Sequence, residues 1–256
     1  MSIFDHLREN ERLALFLDYD GTMVPLKGWE PHTSKPDREI LHIVRELVKL
    51  SNVQFTIVTG RNFSDIREYF PVKGIFLAAC HGGIIRDRSN KIYYLVPPKS
   101  IRQSVVMAEK FIKSLIYRQR GFILEDKLVG FAVHYRNAYP ETVERVKERF
   151  GEFYESTLSK SELDLYDWRA SIELKHRAVS KGKGVKYILD NFTPSYYFPI
   201  FVGDDISDRD VYEYISDRGA FYFVGENIRD VQEVREFLKK VIDRFRGTHK
   251  SGLSEE

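Results

Sequence analysis

Little in this chain would staple it, anchor it or draw it to a charged partner. One cysteine, Cys80, excludes an internal disulfide framework and fits a reducing compartment. Net charge is nearly absent: 40 Lys and Arg face 38 Asp and Glu, a formal +2. That balance argues against nucleic acid or an anionic membrane as the main partner. No apolar run approaches the roughly 20 residues of a membrane span. The opening residues, MSIFDHLRENER, lack the apolar stretch of a secretory leader, so a cytoplasmic location is expected. Internal repeats and low-complexity stretches are missing too. What is present is 256 residues of globular composition, 43% hydrophobic and 14% aromatic. That is enough for one large domain, or for a domain with a substantial insert.

The first third alternates strand and helix. LALFLD (13–18), VQFTIVT (53–59) and GIFLAAC (74–80) read as buried strands. Between them lie the amphipathic PDREILHIVRELVKL (36–50) and the short FSDIREYF (63–70). Near-continuous apolar strands separated by helices predict a parallel sheet covered on both faces. The middle has another style. KIYYLV (91–96) precedes a long helix (100–119), the strand pair FILEDK and GFAVHYR, a helix (140–150) and the pair LDLYDW and ASIELK. Paired strands with helices between them predict a small α+β layer. The last part returns to the first style, with a helix at 182–190, strands at 196–205 and 221–225, and a helix at 228–245. The final GTHKSGLSEE is expected to fray. The expected architecture is thus a Rossmann-like parallel α/β core, residues 1–84 and 178–256, interrupted by an inserted α+β cap, residues 85–177.

In open α/β sheets chemistry gathers at the carboxyl ends of the strands. Asp18 and Asp20, then Thr59, then Lys181 at a helix start, then Asp204, Asp205 and Asp208 stand at such ends. Taken singly, each has an ordinary reading as a turn residue, a cap or a surface lysine. The combination does not. Two acid clusters far apart in sequence would repel if they met without a cation. Carboxylate oxygens suit Mg²⁺, which takes one or two protein carboxylates together with phosphate and water. A cation, a lysine and a carboxylate nucleophile around one anion make a phosphoryl-transfer site.

These same residues carry a family resemblance. DYDGT (18–22), TGR (59–61), Lys181 and GDDISD (203–208) resemble, in order, spacing and strand context, the four motifs of the haloacid dehalogenase superfamily. The resemblance implies that Asp18 attacks phosphorus and that Asp20 serves as general acid and then general base. It implies Mg²⁺ on Asp18, Asp204 and the backbone carbonyl of Asp20, with the phosphoryl group held by Thr59, Gly60 and Lys181. Asp208 would stand behind the metal. Asp205 is open between holding water and a structural role.

Within that superfamily the chain resembles trehalose-6-phosphate phosphatases, through LDYDGTMVPL, HGG (81–83), EDKLVGFAVHYR (125–136) and IELKHRAVSKG (172–182). The likeness implies that Glu125, Lys127, Arg136 and Glu173 on the cap bind the sugar hydroxyls, with trehalose-6-phosphate synthase as functional partner. A cross-strand salt-bridge network is the alternative for those four. His134 and Tyr135 are read as support for their strand, and His81 as a turn residue. The fourth motif departs from the family's GDDxTDE: Ser207 keeps the hydroxyl, but Arg209 replaces an acid. Other sugar or glycerate esters, such as sucrose phosphate or mannosyl-3-phosphoglycerate, would use the same core under another cap. A phospho-acceptor signalling module also places acids, a Thr and a Lys around a metal. Such modules are shorter and lack both the insert and the DxD pair.

Overall fold

LALFLD forms β1 (Leu13–Asp18), six residues that are all buried. Strand alternation sends Leu13, Leu15 and Leu17 into one apolar cluster and Ala14 and Phe16 into another, so both faces are covered. The computed structural model describes residues 2–26, 34–168 and 170–247. A short helix, α1 (Ile3–Glu9), precedes β1. After it come α2 (Arg38–Leu47), β2 (Val53–Val58), α3 (Phe63–Tyr69) and β3 (Phe76–Ala79). Asp37 caps α2 by accepting the Ile40 N–H at 2.9 Å, and Asn62 caps α3 in the same way from Asp65.

Beyond β3 the chain turns back through Cys80 and His81, both at positive φ, and adds β4 (Ile84–Arg86) and β5 (Ile92–Tyr94) as an antiparallel extension. It then builds α4 (Pro98–Ile116), β6 (Ile123–Asp126), β7 (Gly130–His134), α5 (Pro140–Phe153), β8 (Leu163–Trp168) and β9 (Ser171–His176). The return consists of α6 (Lys181–Phe192), β10 (Phe198–Gly203), a 3₁₀ turn over Ile206–Val211, α7 (Tyr212–Ile215), β11 (Ala220–Phe223) and α8 (Val231–Gly247). Residues 248–256, within the tail expected to fray, lie outside the described residues.

Two sheets result. The larger has the order β11-β10-β1-β2-β3-β4-β5, and the smaller the order β6-β7-β9-β8. Pairing from β11 to β3 is parallel, as expected. One boundary needs correction. The strand around 91–96 was expected in the insert, yet β5 is the edge strand of the larger sheet, and a division at residue 85 falls inside β4. The cause is the β3–β4–β5 meander, whose three-residue strands are too short to show a period.

In the smaller sheet, alternation sorts the faces by polarity. Phe131, Val133, Ile172 and Leu174 join the apolar cluster that includes Phe150 and Ile112 from the helices. Glu125, Ala132 and Glu173 point the other way, into a cavity shared with the larger sheet. Register places them side by side across three strands.

Candidate active site

Asp18 ends β1, and Tyr19 beside it is fully buried, its hydroxyl donating to the Ser34 carbonyl at 2.7 Å. The tyrosine between the two acids is therefore a core residue that anchors the turn. Gly21 follows at φ +78°, and a Cβ there would collide with the Asp204 carboxylate. The glycine lets the loop after β1 come close to the loop after β10. Thr22 closes the approach by donating its hydroxyl to Asp204 Oδ1 at 3.1 Å.

Lys181, the first residue of α6, lies between two carboxylates. Its Nζ is 3.0 Å from Asp18 Oδ1 and 2.7 Å from Asp208 Oδ1. The other oxygen of Asp208 accepts the backbone N–H groups of Asp204 (3.1 Å) and Asp205 (2.9 Å). Asp208 is fully buried and braces the lysine and the loop. Asp205 caps the 3₁₀ turn, accepting the Ile206 N–H at 2.7 Å and the Ser207 hydroxyl at 3.2 Å. It also lines the cavity. Arg209 lies 2.7 Å from Glu226 and over the Phe223 ring, where it also lines the cavity.

Ligand-capable oxygens of Asp18, Asp204 and Asp208 lie within 4.8 Å of one another. Burial, with the crowding of Asp208 and Asp204, pushes the Asp18 carboxyl well above its ordinary range despite Lys181. Burial and Asp208 push Asp204 up to about 6. Burial alone would lower Lys181, but Asp18 and Asp208 outweigh it and hold the ammonium charged. A hard divalent cation fits this donor set: all-oxygen, anionic, and short of positive charge. With both Asp208 oxygens engaged, Asp18 and Asp204 are the side chains left to hold it.

Thr59 is buried at the end of β2, and its hydroxyl accepts the Arg61 N–H at 3.2 Å. Gly60 lies under the His81 ring, which a Cβ would strike. Sequence reasoning passed over Arg61, the third residue of TGR. Its guanidinium grips Asp20 with two hydrogen bonds, 2.7 Å from Nε and 2.6 Å from Nη2, and packs over the rings of Tyr19 and Tyr69. Burial opposes the Arg61 charge, and Asp20 more than restores it.

The opposite wall comes from the smaller sheet. Lys127 Nζ donates to Glu173 Oε1 at 2.8 Å, and His81 Nε2 lies 3.1 Å from the same oxygen. Trp168 Nε1 donates to Glu173 Oε2 at 3.2 Å. Burial would raise Glu173, but His81 and Lys127 hold it well below the usual carboxylate range. Glu125 Oε2 lies 2.9 Å from His134 Nε2, and its Oε1 accepts from Asn62 of the larger sheet's layer at 3.3 and 3.4 Å. Arg136 is exposed on the same wall. A cavity of about 1000 Å³ joins the two walls, with Asp18, Asp20, Thr59, Gly60, Lys181 and Asp204 at one end and Glu125, Lys127, Arg136 and Glu173 at the other. Every predicted site residue lines this cavity except Asp208, which stands behind it against Lys181.

A family model described as trehalose-phosphatase matches residues 16–250. The chain belongs to the trehalose-phosphatase family. It is 25% identical to trehalose-phosphate phosphatase B of Arabidopsis thaliana, covering 97% of this chain and 72% of that protein. It is 27% identical to a bifunctional trehalose-6-phosphate synthase/phosphatase of Thermoproteus tenax, covering 79% of this chain but only 27% of that protein. The family's fold is shared by the C-terminal domain of C. albicans trehalose-6-phosphate phosphatase, with a TM-score of 0.75, 20% identity, and coverage of 94% and 95% of the two chains. Among the described residues no helix is long and apolar enough to cross a membrane.

Proposed function

We propose that this chain hydrolyses trehalose 6-phosphate to trehalose and phosphate through an aspartyl-phosphate on Asp18. The observation that carries the reading is that one cavity has Asp18, Lys181 and Asp204 at one end and a wall of charged side chains at the other. An Asp18 oxygen attacks phosphorus as the bond to the sugar oxygen breaks, and Asp20 gives that oxygen its proton. Asp20 then takes a proton from the water that attacks phosphorus and frees Asp18. To reach the sugar oxygen Asp20 must turn away from Arg61, which holds both of its carboxylate oxygens. Lys181, the Thr59 hydroxyl and the Gly60 N–H hold the phosphoryl oxygens, where charge builds in the transition state. Mg²⁺ held by Asp18, Asp204 and the Asp20 carbonyl would supply the positive charge that lets an anionic nucleophile approach an anionic ester.

The smaller sheet with α4 and α5, leaving the larger sheet after β5 and returning before α6, acts as the cap. Glu125, Lys127, Arg136 and Glu173 grip the sugar hydroxyls as paired acids and bases, a set that rejects esters without matching diols. A trehalose-6-phosphate synthase would supply the substrate, as the name of the T. tenax relative combines both activities. The test is phosphate release from a panel of phosphorylated sugars, with Mg²⁺ and with excess chelator. Trehalose 6-phosphate should be the best substrate and chelator should stop turnover. Preference for sucrose phosphate or mannosyl-3-phosphoglycerate would reassign the cap, and no release from any ester would remove the reading.

A further inference from the structure

The polar face of the smaller sheet carries two rows of side chains, and only one has been given a task. Beside the row Glu125, Ala132, Glu173 and Tyr166 runs a second, Ile123, His134, Ser171 and Trp168, two residues along each strand. All four of the second row line the large cavity. Trp168 is its largest member and is paired across the strands with Ser171, its smallest, and both line the cavity.

Trp168 belongs to neither apolar cluster, so its ring is not there to fill the core. It is nevertheless held firmly. The ring stacks parallel to Tyr166, with centroids 5.7 Å apart and planes 3° from parallel. Its N–H donates to Glu173 Oε2 at 3.2 Å, and its main-chain carbonyl accepts the Tyr135 hydroxyl at 3.0 Å. A fixed aromatic plane in the wall of a wet cavity has little rotamer freedom left to lose when a ligand covers it.

A pyranose ring has a rim of hydroxyls and a face of C–H groups. Carboxylates and amines recognise the rim, and the face needs a flat apolar surface. We propose that Trp168 is a specificity-determining residue: its indole covers the C–H face of the sugar ring gripped by Glu125, Lys127 and Glu173, and its N–H keeps Glu173 aimed at that ring's hydroxyls. The assignment rests on the trehalose 6-phosphate reading above.

The experiment uses the full chain with Trp168→Leu, which removes ring and N–H, and Trp168→Phe, which keeps a ring. Each is assayed on trehalose 6-phosphate and on acetyl phosphate, an acyl phosphate with neither a sugar nor an aromatic ring to stack. Trp168→Leu should raise KM for trehalose 6-phosphate about tenfold while kcat stays within about threefold, so the preference over acetyl phosphate falls by a similar factor. Trp168→Phe should lose less than Trp168→Leu. Trehalose affinity measured by calorimetry should weaken in the same order. An unchanged preference in Trp168→Leu, or equal losses on both substrates with a lower melting temperature, would overturn the proposal alone. A wild-type chain active on acetyl phosphate but not on trehalose 6-phosphate would overturn it together with the reading beneath it.

Discussion

The two walls of the cavity hold buried acids in opposite states. On the larger-sheet wall, burial lifts Asp18 well above its usual range and Asp204 to about 6, because three carboxylates share the single ammonium of Lys181. On the cap wall Glu173 is as deeply buried, yet His81 and Lys127 overcome burial and keep it strongly acidic. The same carboxylate group in the same cavity is short of positive charge on one side and paired with the Lys127 ammonium on the other. A site short of positive charge can take up a cation and then a phosphate. A site already neutralised offers hydroxyls a fixed set of donors and acceptors. On the proposed reading, chemistry belongs to the first wall and choice of substrate to the second.

The largest effect should come from Asp18→Asn, since an amide cannot form the phospho-enzyme. Turnover of every ester should vanish while the melting temperature holds, and near-normal phosphate release would break the assignment. Next is Asp20→Asn, where steady-state kcat on trehalose 6-phosphate should fall by the roughly 10²–10⁴ typical of a lost general acid–base. Undiminished turnover would move that role elsewhere.

Substitutions on the cap wall should act on one substrate only. Arg136→Ala and Glu173→Ala each remove charge-assisted hydrogen bonds of roughly 1.5–3 kcal/mol, or about tenfold to somewhat over a hundredfold in kcat/KM for trehalose 6-phosphate. Turnover of p-nitrophenyl phosphate, which has no sugar, should change far less. Parallel losses on both substrates, together with a lower melting temperature, would mean that these residues hold the cap together and do not read sugar.

The smallest effect is thermal. A carboxyl lifted from 3.8 to about 6 on folding binds its proton more tightly in the folded state, so this contribution to stability falls as pH rises through that window. Mg²⁺ takes the deprotonated form. It should therefore raise the melting temperature by more at pH 7.5 than at pH 5, and the difference should disappear in Asp204→Ala. Glu173 contributes with the opposite sign, its stabilisation being lost as pH falls below the usual carboxylate value of 4.5. Comparing samples with and without Mg²⁺ at one pH removes that part. An equal Mg²⁺ shift at both pH values would contradict the cation site.

Much of this was legible in the sequence where a local signal existed. β1 and β10 are long apolar runs that lead into acids and β2 one that leads into Thr59, and their ends meet in space because parallel strands align their carboxyl termini. β4 was not, and β5 was read as a strand of the insert, because three residues show no period and the left-handed turn at Cys80 and His81 has no glycine at those two positions to announce it. Arg61 stood in a quoted motif, but its grip on Asp20 depends on a turn that only the fold supplies. The row of Ile123, His134, Ser171 and Trp168 was invisible for a stronger reason. Register across four strands is set by pairing, and no stretch of chain contains it.

The most direct test of the central claim uses Asp20→Asn with p-nitrophenyl phosphate. Its leaving group needs no proton, so the loss of the general acid spares the first step, whereas hydrolysis of the phospho-enzyme still needs the base. Rapid mixing should give a burst of p-nitrophenolate close to one per active site, and protein quenched in acid should carry phosphate on Asp18. The double variant with Asp18→Asn should show neither. Slow, linear release with no burst and no phosphorylated protein would contradict the account.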